Sequence, residues 1–329
     1  MNIRTVLSAA AALALTATLA ACGQGSGSSA DGTTKLTVGT VGIGSDAAIA
    51  MAQDQGFFAD EGLEVEISVV ANPPAGVAAA QSGQLDITYT PSIPLLTALS
   101  QGVDLKVLGA ADGYPDGASD DPDPSVHDDT GLFVQESSKI ETPKDLEGKK
   151  IAVPARKAQI EVTVANMVLA DGGDPSSIQW MVLDPASSLQ SLQQGRVDAA
   201  GLVAPFTTNA DESGMRLLGS PGVSFFEEGA IGLWVAAQST IDKQPEAIDG
   251  FIRAMGKANA YANDHLDEAD EKAAEITGVS LETVKQGAEG YWPAAVKIEE
   301  IQRVNQRLVQ LGYLEEEVKI DGELIHQAK

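Results

Sequence analysis

The spacing of apolar and polar positions changes period again and again along the chain. KLTVGTV (35–41) is a short, nearly unbroken apolar run, the pattern of a strand covered on both faces. AAIAMAQDQ (47–55) reads as a helix closed by Gly56. LEVEISVV (63–70) alternates, with Leu63, Val65, Ile67 and Val69 on one side. A helix over 75–82 ends at Gly83, LDITYT (85–90) supplies the next strand, and Pro91 sits in the first turn of another helix. This β-α-β-α-β-α order predicts a mainly parallel sheet covered by helices.

The pattern then returns. KIAVP (150–154) echoes KLTVG (35–39) at a shift of 115. Pro185 answers Pro73, and QQGRVD (193–198) answers QSGQLD (81–86), both at a shift of 112. Each copy then runs strand, proline, helix: TYTP in the first, GLVAP in the second. Agreement in order, spacing and local pattern predicts two similar α/β lobes. Ligands of such sheets bind beyond the carboxyl ends of the strands, where helix N-termini point, so two facing lobes make a cleft. Beyond the second copy, AIGLWVAA (230–237) reads as a strand. Two helices follow, striped by Ile248, Phe251, Ile252, Met255 and Ala262, and by Ile298, Ile301, Val304, Leu308 and Leu311. GYWPAA (290–295) breaks the chain between them.

The chain has 329 residues, 43% hydrophobic and 21% charged, which is enough for two domain-sized cores. Its 47 Asp and Glu against 21 Lys and Arg, a net charge of −26, argue against nucleic acid or an anionic membrane surface as partner. Residues 1–21 carry one early cation, Arg4, and an uncharged run from Val6 to Leu19, too short for a comfortable span and suited to an export signal. The run ends in Leu19-Ala20-Ala21-Cys22, which resembles a bacterial lipobox, with Cys22 the lipidation point. A Gly/Ser-rich tether completes 22–34. Cys22 is the single cysteine, so an intramolecular disulfide, a CxxC metal site and a cysteine nucleophile are excluded.

QGFFADEGLEVEI (55–67), SGQLDIT (82–88), LLTALSQGVDLKVLGAA (95–111), TPKDLEGKKIAVP (142–154), LQQGRVDA (192–199) and YWPAAVKIEEIQRVNQRLVQLGYL (291–314) together resemble the substrate-binding lipoproteins of bacterial ABC importers, of the nitrate/sulfonate/taurine type. The resemblance implies an α/β, type II periplasmic-binding-protein clamshell. Residues 35–129 plus 237–329 would form one lobe and 130–236 the other, with crossings near Gly131–Val134 and Leu233–Ala237. It implies capture of a small organic anion between the lobes and delivery to a membrane permease, by a lipid-anchored monomer with no cofactor and no catalysis. Binding of a neutral heterocycle such as a pyrimidine vitamin precursor, or presentation of ligand to a sensor, is the alternative. The histidines, His127, His265 and His326, fall in none of the turns expected to face the cleft.

Four strand-to-helix turns are expected to line that cleft: 42–46, 89–92, 155–159 and 203–208. They offer Gly44, Ser45, Asp46, Thr90, Ser92, Arg156, Lys157, Gln159, Phe206 and Thr207. Ser45, Ser92 and Thr207 suit helix N-caps, and an N-cap facing a cleft is also where an oxyanion binds. Arg156 and Lys157 are cations at a helix N-terminus, which the macrodipole disfavours. At least one of them is expected to aim at a sulfonate, carboxylate or similar group of the ligand; the other reading is a surface pair that balances an Asp or Glu of the facing lobe. Asp46 would pair with a ligand ammonium, or simply suits the first helical turn. Trp234, Tyr114 and Trp292 are candidate aromatic walls, with core packing as the other role. The stretch 112–129 holds seven aspartates and three prolines. It reads as a solvated loop or a flap at the cleft mouth, without the spacing of an EF-hand.

Overall fold

The computed structural model describes residues 33–329. The export signal, Cys22 and most of the tether lie outside the described residues. The strands are β1 (Thr34–Thr40), β2 (Leu63–Val69), β3 (Ile87–Pro91), β4 (Leu105–Tyr114), β5 (Thr130–Gln135), β6 (Lys150–Val153), β7 (Gln179–Val182), β8 (Ala199–Val203), β9 (Met215–Gly219) and β10 (Gly229–Ala237). They form two five-stranded sheets, ordered β2-β1-β3-β10-β4 and β7-β6-β8-β5-β9.

The two sheets share one plan. In the first, β1 pairs parallel with β2 and β3, while β10 runs antiparallel between β3 and β4. In the second, β6 pairs parallel with β7 and β8, while β5 runs antiparallel between β8 and β9. Each sheet is therefore parallel but for one strand, and that strand has just arrived from the other lobe. Both crossings differ from the expectation. β10 belongs wholly to the first sheet, so the return crossing lies between Gly219 and Gly229 and not at 233–237. A strand buried on both faces fits either sheet by its pattern alone. Likewise β5 already belongs to the second sheet, so the outward crossing lies between Tyr114 and Thr130.

The repeated residues do repeated work. Asn72 and Asp184, 112 apart, each cap the helix that follows, accepting from Ala75 N at 3.0 Å and Ser187 N at 3.0 Å. Gly83 and Gly195 take φ of 74° and 65° just past the ends of those helices, where a Cβ would be strained. Asp86 and Asp198 then each accept a backbone N–H from the neighbouring parallel strand or its lead-in, Thr37 N and Lys150 N, both at 2.8 Å. The motif is thus a helix stop, a turn and a stitch between strands.

Alternation along the strands builds two apolar layers in each lobe. On β10, Trp234 and Ala236 join Leu36, Val38, Ile49 and Met51, over which the helix Pro245–Asp264 lays Ile248, Phe251 and Met255. Leu233 and Val235 face the opposite layer, with Leu95, Val107 and the Ile301, Val304 and Leu308 stripe of the helix Ile298–Gln310. In the second lobe, Leu132 and Val134 of β5 meet Ile151 and Val153, while Phe133 turns to Ala152, Ala200 and Leu202. Full burial of side chains this size is worth about 1.5–3 kcal/mol each.

Asp128 ties the crossings together. Its buried carboxylate accepts from Tyr114 Oη at 2.8 Å, from Thr130 N at 3.0 Å and Oγ1 at 2.6 Å, and from Val223 N at 2.9 Å. One side chain thereby joins the end of β4, the start of β5 and the return crossing.

Candidate functional site

The carboxyl ends of β1, β3 and β4 face those of β6 and β8 across a cavity of about 550 Å³. The first lobe contributes Gly42 to Ser45, Tyr89, Asp112 to Tyr114 and Ile231. The second contributes Gln159, Val203 to Phe206, and Thr208. The helix Leu266–Thr277 adds Ala269, Ala273, Ile276 and Thr277, the helix Leu281–Gln286 adds Thr283 and Val284, and the segment after them adds Tyr291 and Trp292. A larger, acid-rimmed trough of about 920 Å³ adjoins it through Thr208, Asp270 and Gly287. The strand ends converge on the smaller cavity.

The local sequence explains the loop after β1. Asp46 folds its carboxylate back onto Gly42 N at 2.8 Å and Ile43 N at 3.1 Å, with Gly42 at φ 70°. That leaves Gly44 and Ser45 on the cavity side and Asp46 buried behind them. Burial pushes the Asp46 carboxyl up to about 6, opposed by the two backbone donors and aided by the charge of Asp112. Ser45 Oγ donates to Asp112 Oδ2 at 2.7 Å, and its carbonyl accepts Trp292 Nε1 at 2.9 Å. Tyr89 Oη at 3.0 Å and Gly232 N at 2.8 Å complete the donors to Asp112. All three donors are neutral, and burial holds the Asp112 carboxyl above its usual range.

Asp129 completes the acidic side of the cavity. It is exposed to solvent within the cavity that it lines. Among the described residues its carboxylate accepts no hydrogen bond from another residue and joins no ion pair. Dehydration first, then the charges of Asp128 and Asp112, push it up to about 7.

Of the residues singled out from sequence, Gly44, Ser45, Gln159 and Phe206 line the cavity, and so do Tyr114 and Trp292. Thr207 lines the adjoining trough instead. Thr90 and Ser92 are buried below the cavity floor, among strand and helix backbone, and the Ser92 hydroxyl has no partner. Trp234 is a core residue, edge-on to Tyr89 and Phe251. None of Ser45, Ser92 and Thr207 is an N-cap. Ile43, Pro91 and Pro205 occupy those positions, since each serine or threonine already lies inside its helical turn.

Arg156 and Lys157 do not line the cavity. Arg156 Nε donates to Glu161 Oε2 at 2.6 Å, and the Lys157 N–H donates to the same oxygen at 3.0 Å. Tyr313 Oη, from the returning tail, reaches Glu161 Oε1 at 3.0 Å. The acid that meets Arg156 thus belongs to the protein, Lys157 reaches it only through its backbone N–H, and it sits in the first turn of the helix Gln159–Ala170, where the macrodipole welcomes it. Tyr89 lay in one of the four turns expected to face the cleft, whereas Asp112 and Asp129 entered only as the ends of the acidic stretch 112–129. Asp112 had one available signal, an acid at the carboxyl end of a strand in an α/β lobe.

The model of the NMT1-like family matches residues 29–278. The chain belongs to that family. It is 26% identical over 211 residues to the taurine-binding periplasmic protein of Escherichia coli, a match covering 63% of this chain and 60% of that protein's length. It is 28% identical over 232 residues, 68% of this chain and 67% of the other, to a Haemophilus influenzae protein named for thiamine biosynthesis. Among solved structures, the periplasmic aliphatic sulphonate-binding protein of Escherichia coli superposes with a TM-score of 0.70 at 20% identity, covering 86% of this chain and 94% of that one. The shared fold is that of periplasmic binding proteins.

Proposed function

We propose that this NMT1-like chain is the extracytoplasmic solute-binding component of an ABC importer, which captures a small organic solute between its lobes and hands it to a membrane permease. The observation that carries the reading is the cavity between two sheets of one plan, at the carboxyl ends of their strands. Its volume of about 550 Å³ suits a small solute. The names of the relatives favour a sulfonate such as taurine, whose anionic end would meet the main-chain N–H groups opening the helix Gln159–Ala170 and the Gln159 amide. In this reading no bond is made or broken. The ligand favours the closed form only by its differential affinity for it. The chain acts as a monomer held to the outer face of the cytoplasmic membrane through lipid on Cys22, and nucleic acid is no partner. Among the described residues no helix is long and apolar enough to cross a membrane.

A second reading, a nitrogen heterocycle of the pyrimidine-precursor kind, is favoured by the aromatic lining of Tyr89, Tyr114, Phe206, Tyr291 and Trp292. The test is a thermal-shift panel of sulfonates, carboxylates, nitrate and pyrimidines on the purified full chain. A solute at a hundred times its Kd adds about 2.7 kcal/mol of stability. Stabilisation by a sulfonate supports the first reading, and by pyrimidines alone the second. Turnover of any bound solute would overturn both.

A further inference from the structure

We infer that the solute carries a protonated or N–H-bearing nitrogen, and that this nitrogen is seated on Asp129 with Asp112 beside it. The inference rests on the capture role proposed above and names the chemistry of the ligand's other end. The cavity lining includes Asp112, Asp129, Asp270 and Glu289 and no Lys or Arg; His127 is its one basic side chain. A ligand that is only an anion would close the lobes onto carboxylates with nothing to offset them.

The carboxylates differ in what they need. Asp112 is supplied with three neutral donors, from Ser45, Tyr89 and Gly232. Asp46 and Asp128 are likewise met by backbone and hydroxyl donors. Asp129 receives none from another residue while facing the cavity, and neither do Asp270 and Glu289 on the helical side of the lining, among the described residues. When the lobes close and water leaves, an unpaired carboxylate is costly unless a donor arrives with the ligand. A charged N–H donor on that carboxylate makes the stronger class of hydrogen bond. Two cations on segments that border the cavity are already engaged, Arg156 by Glu161 and Lys285 by Asp267. The aromatic lining adds favourable faces for a cation.

Matched pairs of probes that exchange nitrogen for oxygen test this. Taurine and isethionate share a sulfonate and differ in ammonium against hydroxyl; 4-aminopyrimidine and 4-methoxypyrimidine differ in an amino group against an ether oxygen, the second carrying no N–H. Affinities for the full chain are measured by calorimetry, with Asp129→Asn and Asp112→Asn beside the wild type. We expect the nitrogen member of at least one pair to bind ten-fold or more tightly than its oxygen partner. Asp129→Asn should erase most of that preference while keeping a wild-type circular dichroism spectrum. If neither sulfonate binds but the aminopyrimidine does, the sulfonate reading falls and this inference stands. Equal binding within the pairs, preference for the oxygen member, no binding of any nitrogen probe, or an unchanged preference in Asp129→Asn overturns it.

Discussion

Replacing Arg156 with alanine separates two roles that the sequence left open. Glu161 is almost wholly buried, its side chain 2% exposed, whereas the Arg156 side chain is 53% exposed. Breaking a fully buried ion pair costs about 3–5 kcal/mol, and losing an exposed pair about 0–1 kcal/mol. This pair lies between those limits. The Glu161 carboxylate keeps the Lys157 N–H, the Tyr313 hydroxyl and the helix N-terminus after truncation, which draws the estimate to about 1–2 kcal/mol. For a chain of this size that lowers Tm by roughly 1.5–3 °C. Differential scanning calorimetry of Arg156→Ala, Glu161→Gln and the double variant measures it. The double variant should lose less than the sum of the two, because the buried charge and its partner leave together. Ligand affinity should be unchanged in Arg156→Ala. An unaltered Tm combined with a lost ligand response would refute this reasoning and make Arg156 a ligand contact.

Three other outcomes are expected. Asp46 and Asp129 stand at about 6 and about 7 in the fold, above the ordinary 3.8, chiefly because burial disfavours their charge. The folded chain therefore holds protons that the unfolded chain has released between about pH 4 and 7, so these groups withdraw stability as pH rises through that window. Denaturant titrations at pH 4, 5.5 and 7 should show Asp129→Asn gaining on the wild type as pH increases; a constant difference would contradict the assignment. In Gly232→Ala the new Cβ would clash with Asp112 Oδ1 and Tyr89 Cε2. It should displace the Asp112 carboxylate, cost about 1–3 kcal/mol and weaken solute binding, read by calorimetry. Trp292 lines the cavity while Trp234 is sealed in the core, so a ligand-induced fluorescence change should vanish in Trp292→Phe and persist in Trp234→Phe.

What the sequence disclosed and what it hid have one physical cause. The repeat was legible because capping, helix termination and strand stitching are local acts, performed by Asn72 and Asp184, Gly83 and Gly195, Asp86 and Asp198 at a constant offset. The apolar stripes of the tail were legible for the same reason. The acidic side of the cavity was not, because its geometry is made by distance: Asp112 meets Ser45, Tyr89 and Gly232 across 67, 23 and 120 residues. Read as one run, 112–129 is a solvated loop, yet its two ends are the end of β4 and the approach to β5, and both turn inward. The cations misled in the opposite direction. In a chain with 47 acids and 21 bases, a cation readily finds an internal partner, as Arg156 finds Glu161, Arg253 and Lys257 find Glu61, and Arg303 and Arg307 find Glu227. The charge left over is negative, and almost all of it belongs in water. A leftover acid carries information only where water is about to be excluded. Asp129, unpaired at the cavity between the two lobes, meets that condition under the proposed capture, and this is why the polarity of the cavity, more than any cation in the sequence, points to the solute.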